Sequence, residues 1–145
     1  MRSALARESR LARELAAMAP FGVIAARFCL ALIFLANGLG VVDQSRAASE
    51  LAAHGMPTAL VPVFMLAGRA LQIVAGTALV LGVRERLAAF ALAAFLVPAT
   101  LVAHDFWASP ETERAAQLVN FLKNAAMLGG LLFVAFREGR PRPAR

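Results

Sequence analysis

The stretch NFLKNAAMLGG places Asn120, Lys123, Asn124 and Met127 at positions i, i+3, i+4 and i+7. In a helix, one ammonium group and two carboxamides therefore share a single stripe. Groups of this kind donate strongly to carbonyl and oxyanion oxygens. A second stripe, Arg69, Gln72 and Gly76, lies in a segment where Gly68, Ala75 and Gly76 are small enough to admit a close helix neighbour. HDFW, His104 to Trp107, adds an imidazole, a carboxylate and an indole, and Asn37 adds a carboxamide. Whether these groups form a site depends on which elements carry them and in what medium.

The medium follows from composition. The chain has 145 residues, 60% of them hydrophobic, and a mean hydropathy of +0.68. That is too apolar for a soluble domain of this length and points to a membrane protein. A net charge of +6 does not imply nucleic acid, because the basic residues sit at the ends of apolar runs and not in one patch interleaved with aromatics. One cysteine, Cys29, excludes a disulfide, a CxxC pair or a thiolate metal site within the chain. Two histidines give no metal-ligand spacing, so no metal is expected. Ser45, Ser49 and His54 share one loop without a nucleophile-elbow pattern, which argues against a soluble hydrolase.

Four apolar stretches can each cross a hydrocarbon core of about 30 Å: 21–42, 58–82, 87–104 and 117–136. The expected fold is all-α, a left-handed four-helix transmembrane bundle. Pro20 is read as preceding the first helix, Pro57 as opening the second, Gly82 as closing it and Ser109-Pro110 as breaking the chain before the fourth. Pro98 should kink the third. Ten arginines fall before the first span, between the second and third, or after the fourth; two, Arg46 and Arg114, fall in the other loops. The positive-inside rule then puts both termini in the cytoplasm, N-in and C-in. The division is a basic amphipathic segment over 1–20, the membrane domain over 21–136 and a disordered basic tail over 137–145. In the first of these, Leu5, Leu11, Leu15 and Met18 share a face, which suits a helix lying on the inner leaflet, although a frayed tail fits equally. An uncleaved signal anchor is expected, since Arg27 interrupts an apolar core of span length.

Three basic residues fall within spans, and depth decides their meaning. Arg27 lies roughly 9 Å from its end of the first span and can snorkel. Arg69 lies roughly 16 to 20 Å from either end of the second, beyond the reach of snorkelling. Its stripe should face the bundle, with Gln72, Asn37, backbone carbonyls or a ligand as partners. A short loop joins spans three and four, so Asp105 is expected to pair with Lys123, with His104, Asn120 and Asn124 around the pair; simple interfacial anchoring of the lysine is the alternative. Phe106 and Trp107 suit the aromatic belt, the indole N–H left wet.

The pattern R-x6-F-x2-N-G from Arg27 to Gly38, the GMP turn at Gly55 to Pro57, VLGVRER, HDFW and NFLKN-x4-GG together resemble the DoxX family of small four-span membrane proteins. The likeness runs from about Arg27 to Phe136. It implies a component of a membrane redox complex in the bacterial inner membrane, of the kind that serves a thiosulfate:quinone oxidoreductase, sulfur metabolism or oxidative stress. Relatives often carry a glutamate near Gln72 and a histidine at Asn37, so this chain lacks a proton acceptor there. The implied ligand is a quinone or a small oxyanion held in the bundle. The candidate ligand-binding residues are Arg69, Gln72, Asn37, His104, Asp105, Asn120, Lys123 and Asn124, with no catalytic residue assigned and no cofactor bound covalently. No flavin, haem or iron–sulfur motif is visible, so electrons would come from a redox partner protein. The competing function is a non-catalytic scaffold, assembly factor or small-molecule carrier. The lipid bilayer is the expected environment, a homo-oligomer fits, and nucleic acid does not.

Overall fold

A computed structural model describes the backbone of residues 2–137 and the side chains of residues 10–137. Five helices follow one another: α1 (Arg2–Gly38), α2 (Ser45–Ala53), α3 (Val61–Leu81), α4 (Glu85–Ala103) and α5 (Glu111–Phe136). Four of them, all but α2, are long and apolar enough to cross a membrane. The chain is therefore an all-α, multi-pass membrane protein built as a four-helix bundle. The expected tail over 137–145 and the expected role of Leu5 lie outside the described side chains apart from Arg137.

The boundaries correct several expectations. Pro20 lies inside α1, which runs unbroken from Arg2; a proline removes one N–H donor, and a long helix can tolerate that loss. Residues 2–20 are thus continuous with the first span and not a separate helix. Pro57 opens a turn, its carbonyl accepting from Leu60 N–H at 2.8 Å, and α3 begins at Val61 with Pro62 in its first turn. Helix α5 starts at Glu111, with Pro110 as N-cap and two acids in its first turn, where they suit the helix dipole. The loop after span one contains a further helix, α2, that the sequence reading missed. Gly82 does close α3, with a φ of +71°.

Helix α1 packs along α3, α3 along α4 and α4 along α5, while α1 and α5 meet only lightly. A side chain at Gly130 would come within 2.9 Å of Leu30 on α1, so this light contact exists because Gly130 has none. Lipid gives helices no hydrophobic drive to associate, so close packing of small residues has to hold them. The buried apolar set among the described residues accordingly has six alanines, Ala31, Ala75, Ala88, Ala89, Ala93 and Ala135, around Leu96 and four fully buried larger side chains, Phe34, Leu79, Leu92 and Leu131.

Contacts fix the register of α1 on α3. Gly38 lies against Ile73, Gly76 against Leu35, and Gly82 against the Arg27 guanidinium. Helix α1 therefore stops level with Ile73, while α3 continues twelve residues further, to Val61, about 18 Å. Over that height the bundle has three long helices, and α2 packs on α3 and α4. At the opposite end α1 runs on past Arg27, where Phe21, Ile24, Met18 and Leu15 are exposed.

Candidate functional site

Arg69 is on α3, four residues from Ile73, and so sits beside the end of α1. That end must dispose of its last carbonyls away from water. Gly40 takes a φ of +77°, which lets Val41 N–H reach Ala36 O at 2.9 Å. Asn37 O accepts from Gly40 N–H at 3.1 Å and from Gln44 Nε2 at 2.9 Å. Gly38 O accepts from Arg69 Nε at 3.0 Å. The guanidinium lies so close to Gly40 that a Cβ there would be 2.8 Å from Arg69 Nη2. A fixed cation at a helix C-terminus also complements the dipole. Arg69 is thus an outward-facing side chain, exposed rather than turned into the bundle, whose Nε caps α1. The expectation that it faces the interior fails because α1 is shorter than its apolar sequence suggests.

The inward-facing member of that stripe is Gln72, only 3% exposed. Its Nε2 donates to Gly68 O at 3.2 Å, while its Oε1 is buried without a hydrogen-bond partner. An acceptor left unsatisfied in a low-dielectric interior is costly. Asn37 is half-buried one position before Gly38, and no side-chain hydrogen bond holds its carboxamide among the described residues.

The residues of the α2 end form separate pairs and not one cluster. Asp105 faces His54, with Oδ2 and Nε2 3.8 Å apart, and not Lys123. Lys123 is exposed and has no hydrogen bond or ion pair among the described residues. The expected Asp105–Lys123 pair fails because α5 begins six residues earlier than the sequence reading placed it and α2 brings its own imidazole to Asp105. His104 Nδ1 and Gln117 Oε1 lie 2.9 Å apart, tying the end of α4 to α5. Deeper, Asn124 Nδ2 donates to Thr100 Oγ1 at 3.0 Å, and that hydroxyl donates to Leu96 O at 2.6 Å. A small cleft of about 100 Å³ between α4 and α5 is lined by Leu96, Thr100, Phe121 and Asn124 among others. Asn120 is half-buried, and its side chain has no hydrogen-bond partner among the described residues. Phe106, Trp107 and Phe121 pack edge to face, with centroids 5.1 to 6.1 Å apart, and Trp107 remains 55% exposed.

Arg27 also has a partner that the sequence reading missed. Its guanidinium donates to one oxygen of Glu85, the first residue of α4, and Arg137 donates to the other. The signal was present in VRER: a single acid between two arginines at a turn is placed to face the opposite helix. Thr100 and Gln117 were missed as well, since a lone hydroxyl or amide on an apolar face carries no periodic signal. Among the described residues no three His, Cys, Asp or Glu side chains converge on a metal-sized space.

A family model described as DoxX matches residues 22–105, more than half of the chain. The chain belongs to the DoxX family. The match takes in the second half of α1, all of α2, α3 and α4, and ends at Asp105, so the DoxX pattern covers Asn37, Arg69, Gln72, His104 and Asp105. Asn120, Lys123 and Asn124 on α5 lie beyond it. Neither a curated protein nor a solved structure matched the chain.

Proposed function

We propose that this DoxX-family protein is a subunit of a quinone-linked membrane redox complex, in sulfur metabolism or the response to oxidative stress. The quinone ring is received at the level of Gln72. The observation that carries the reading is Gln72 Oε1, a buried acceptor without a donor. An orphaned acceptor favours a ligand that brings a hydrogen, such as a quinol hydroxyl, over a fully deprotonated oxyanion. Asn37, on the facing helix, has a carboxamide able to donate to the carbonyl of the oxidised form. Electrons arrive from a partner protein. The 10-to-2 distribution of arginines supports a bacterial inner-membrane protein with both termini in the cytoplasm. The exposed apolar face of α1 around Leu11, Leu15 and Met18 supports contact of that segment with the headgroup layer.

The test is thiosulfate-dependent quinone reduction in membranes from a strain lacking the gene, complemented with wild type or Gln72→Leu. Wild type should restore the rate, and Q72L, which removes the acceptor and keeps an apolar volume, should restore a tenth or less at equal protein level. Equal rates with and without the gene would end the reading.

The second reading, a non-catalytic scaffold or assembly subunit, is favoured by one observation: three of the candidate polar groups are engaged within the fold, Arg69 on Gly38, His104 on Gln117 and Asn124 on Thr100. It expects Q72L to support the wild-type rate while loss of the whole protein depletes the assembled complex.

A further inference from the structure

We infer that the end of the bundle bearing the α3–α4 turn is a binding site for a phosphate group, as carried by an anionic lipid headgroup. Four arginines from three parts of the chain meet there: Arg27 on α1, Arg84 and Arg86 at the start of α4, and Arg137 after α5. Among the described residues they share one acid. Glu85 gives one oxygen to Arg27 and the other to Arg137, so its two oxygens are both engaged. Among the described residues, four guanidinium groups against one carboxylate leave a net charge of +3. Arg84 is exposed, with no hydrogen bond or ion pair among the described residues. Among the described residues Arg86 uses only Nε, which donates to Ala135 O at 2.9 Å, and its terminal nitrogens have no partner. Arg27 Nε is buried and has no hydrogen-bond partner among the described residues.

Between these groups lies an open recess of about 370 Å³, lined by Gly82, Arg84, Glu85, Arg86 and Leu87. Gly82, in its left-handed conformation, lets the Arg27 guanidinium lie against the backbone here: a Cβ would stand 2.6 Å from Arg27 Nη1. The recess closes the membrane-length segment of α3 and opens that of α4, which is the level of lipid headgroups. Basic recesses between helices at that level recognise phosphate by charge and by the planar fork of arginine. At the other end of the bundle Arg46 is paired with Glu50 and Glu113, and Arg114 donates to Ser109 O.

The full chain, purified in a mild uncharged detergent, is titrated with phosphatidylglycerol, with phosphatidylcholine and with inorganic phosphate, reading the unfolding temperature and the lipids retained in native mass spectrometry. Phosphatidylglycerol should raise the unfolding temperature and remain bound, and phosphatidylcholine should do so at least fivefold more weakly. The double variant Arg84→Gln, Arg86→Gln should lose most of this preference. Arg84→Gly, which suits the left-handed backbone at that position (φ 46°), should lose part of it even if the double variant is poorly folded. Removing the same charge from the other end, with Arg46→Gln and Arg114→Gln, should leave the preference intact. If inorganic phosphate alone reproduces the effect, the phosphate group is still the ligand and its source is soluble. No preference in the wild type, or equal loss in both double variants, overturns the inference, because the effect would then be absent or a matter of total charge.

Discussion

Arg69 illustrates how one side chain changes meaning with its neighbours. In the sequence it is a cation too deep to reach water; in the fold its Nε finishes α1 by taking the Gly38 carbonyl. Arg69→Met should therefore lower the stability of the detergent-solubilised protein by about 0.6 kcal/mol, the mean for polar contacts between spans, and by no more than about 1.7 kcal/mol. Denaturant unfolding followed by the fluorescence of Trp107, the one tryptophan, measures this. The hydrogen bond between Asn124 and Thr100 belongs to the same class. A double-mutant cycle of Asn124→Leu and Thr100→Val should give a coupling of about 0.6 kcal/mol. A coupling of zero would mean that the two groups do not meet in the folded protein.

At the scale of elements, two devices govern the end of α1 and the start of α2. Gly38 lets α1 close on α3: an added Cβ would meet Ile73 Cγ1 at 2.7 Å and the Arg69 backbone oxygen at 3.1 Å. Backbone cannot yield as a side chain can, so Gly38→Ala should cost about 1 to 3 kcal/mol, read as a lowered unfolding temperature. Asp43 starts α2. Its Oδ1 accepts from Ser45 N–H and its Oδ2 from the Ser45 hydroxyl, both at 2.9 Å. The backbone bond first, and the hydroxyl second, hold its carboxyl below the ordinary value of 3.8. A depressed folded value means the contribution is complete above the unfolded value and is lost as pH falls through the folded one. Amide exchange across Ser45–Ala53 should therefore quicken as pH drops below about 3.9, beyond the intrinsic change. Asp43→Ala should remove that acid-dependent step.

For the whole molecule, four crossings require both termini to lie on one side of the membrane and α2 on the other. Because Cys29 is the only thiol, a Cys29→Ser background allows single cysteines to be placed at Ser3, Ser49 and Ala144. An impermeant maleimide applied to intact cells should label position 49 and spare positions 3 and 144, if the arginine distribution sets the orientation as proposed. Labelling of 3 and 49 together would break the four-crossing topology itself.

Span number was legible because about twenty consecutive apolar residues are a local property that any neighbour must accommodate. The membrane class, Gly82 as a helix stop and the DoxX pattern were legible for the same reason: each resides in contiguous residues. The start of α5 was not, because Glu111 to Ala116 are polar enough to read as loop although Pro110 and the first-turn acids allow a helix. Nor was α2, nine residues whose amphipathic pattern is short and whose support comes from α3 and α4. Partner choice among charged groups was the least legible. Glu85 meets Arg27 across fifty-eight residues, and Asp105 meets His54 across fifty-one. The sequence by itself determined the medium, the number of spans and the places where charge is expensive. Only the tertiary structure decided how each charge is met, because that depends on where α1 ends relative to α3, a difference of a few helical turns that no local pattern encodes.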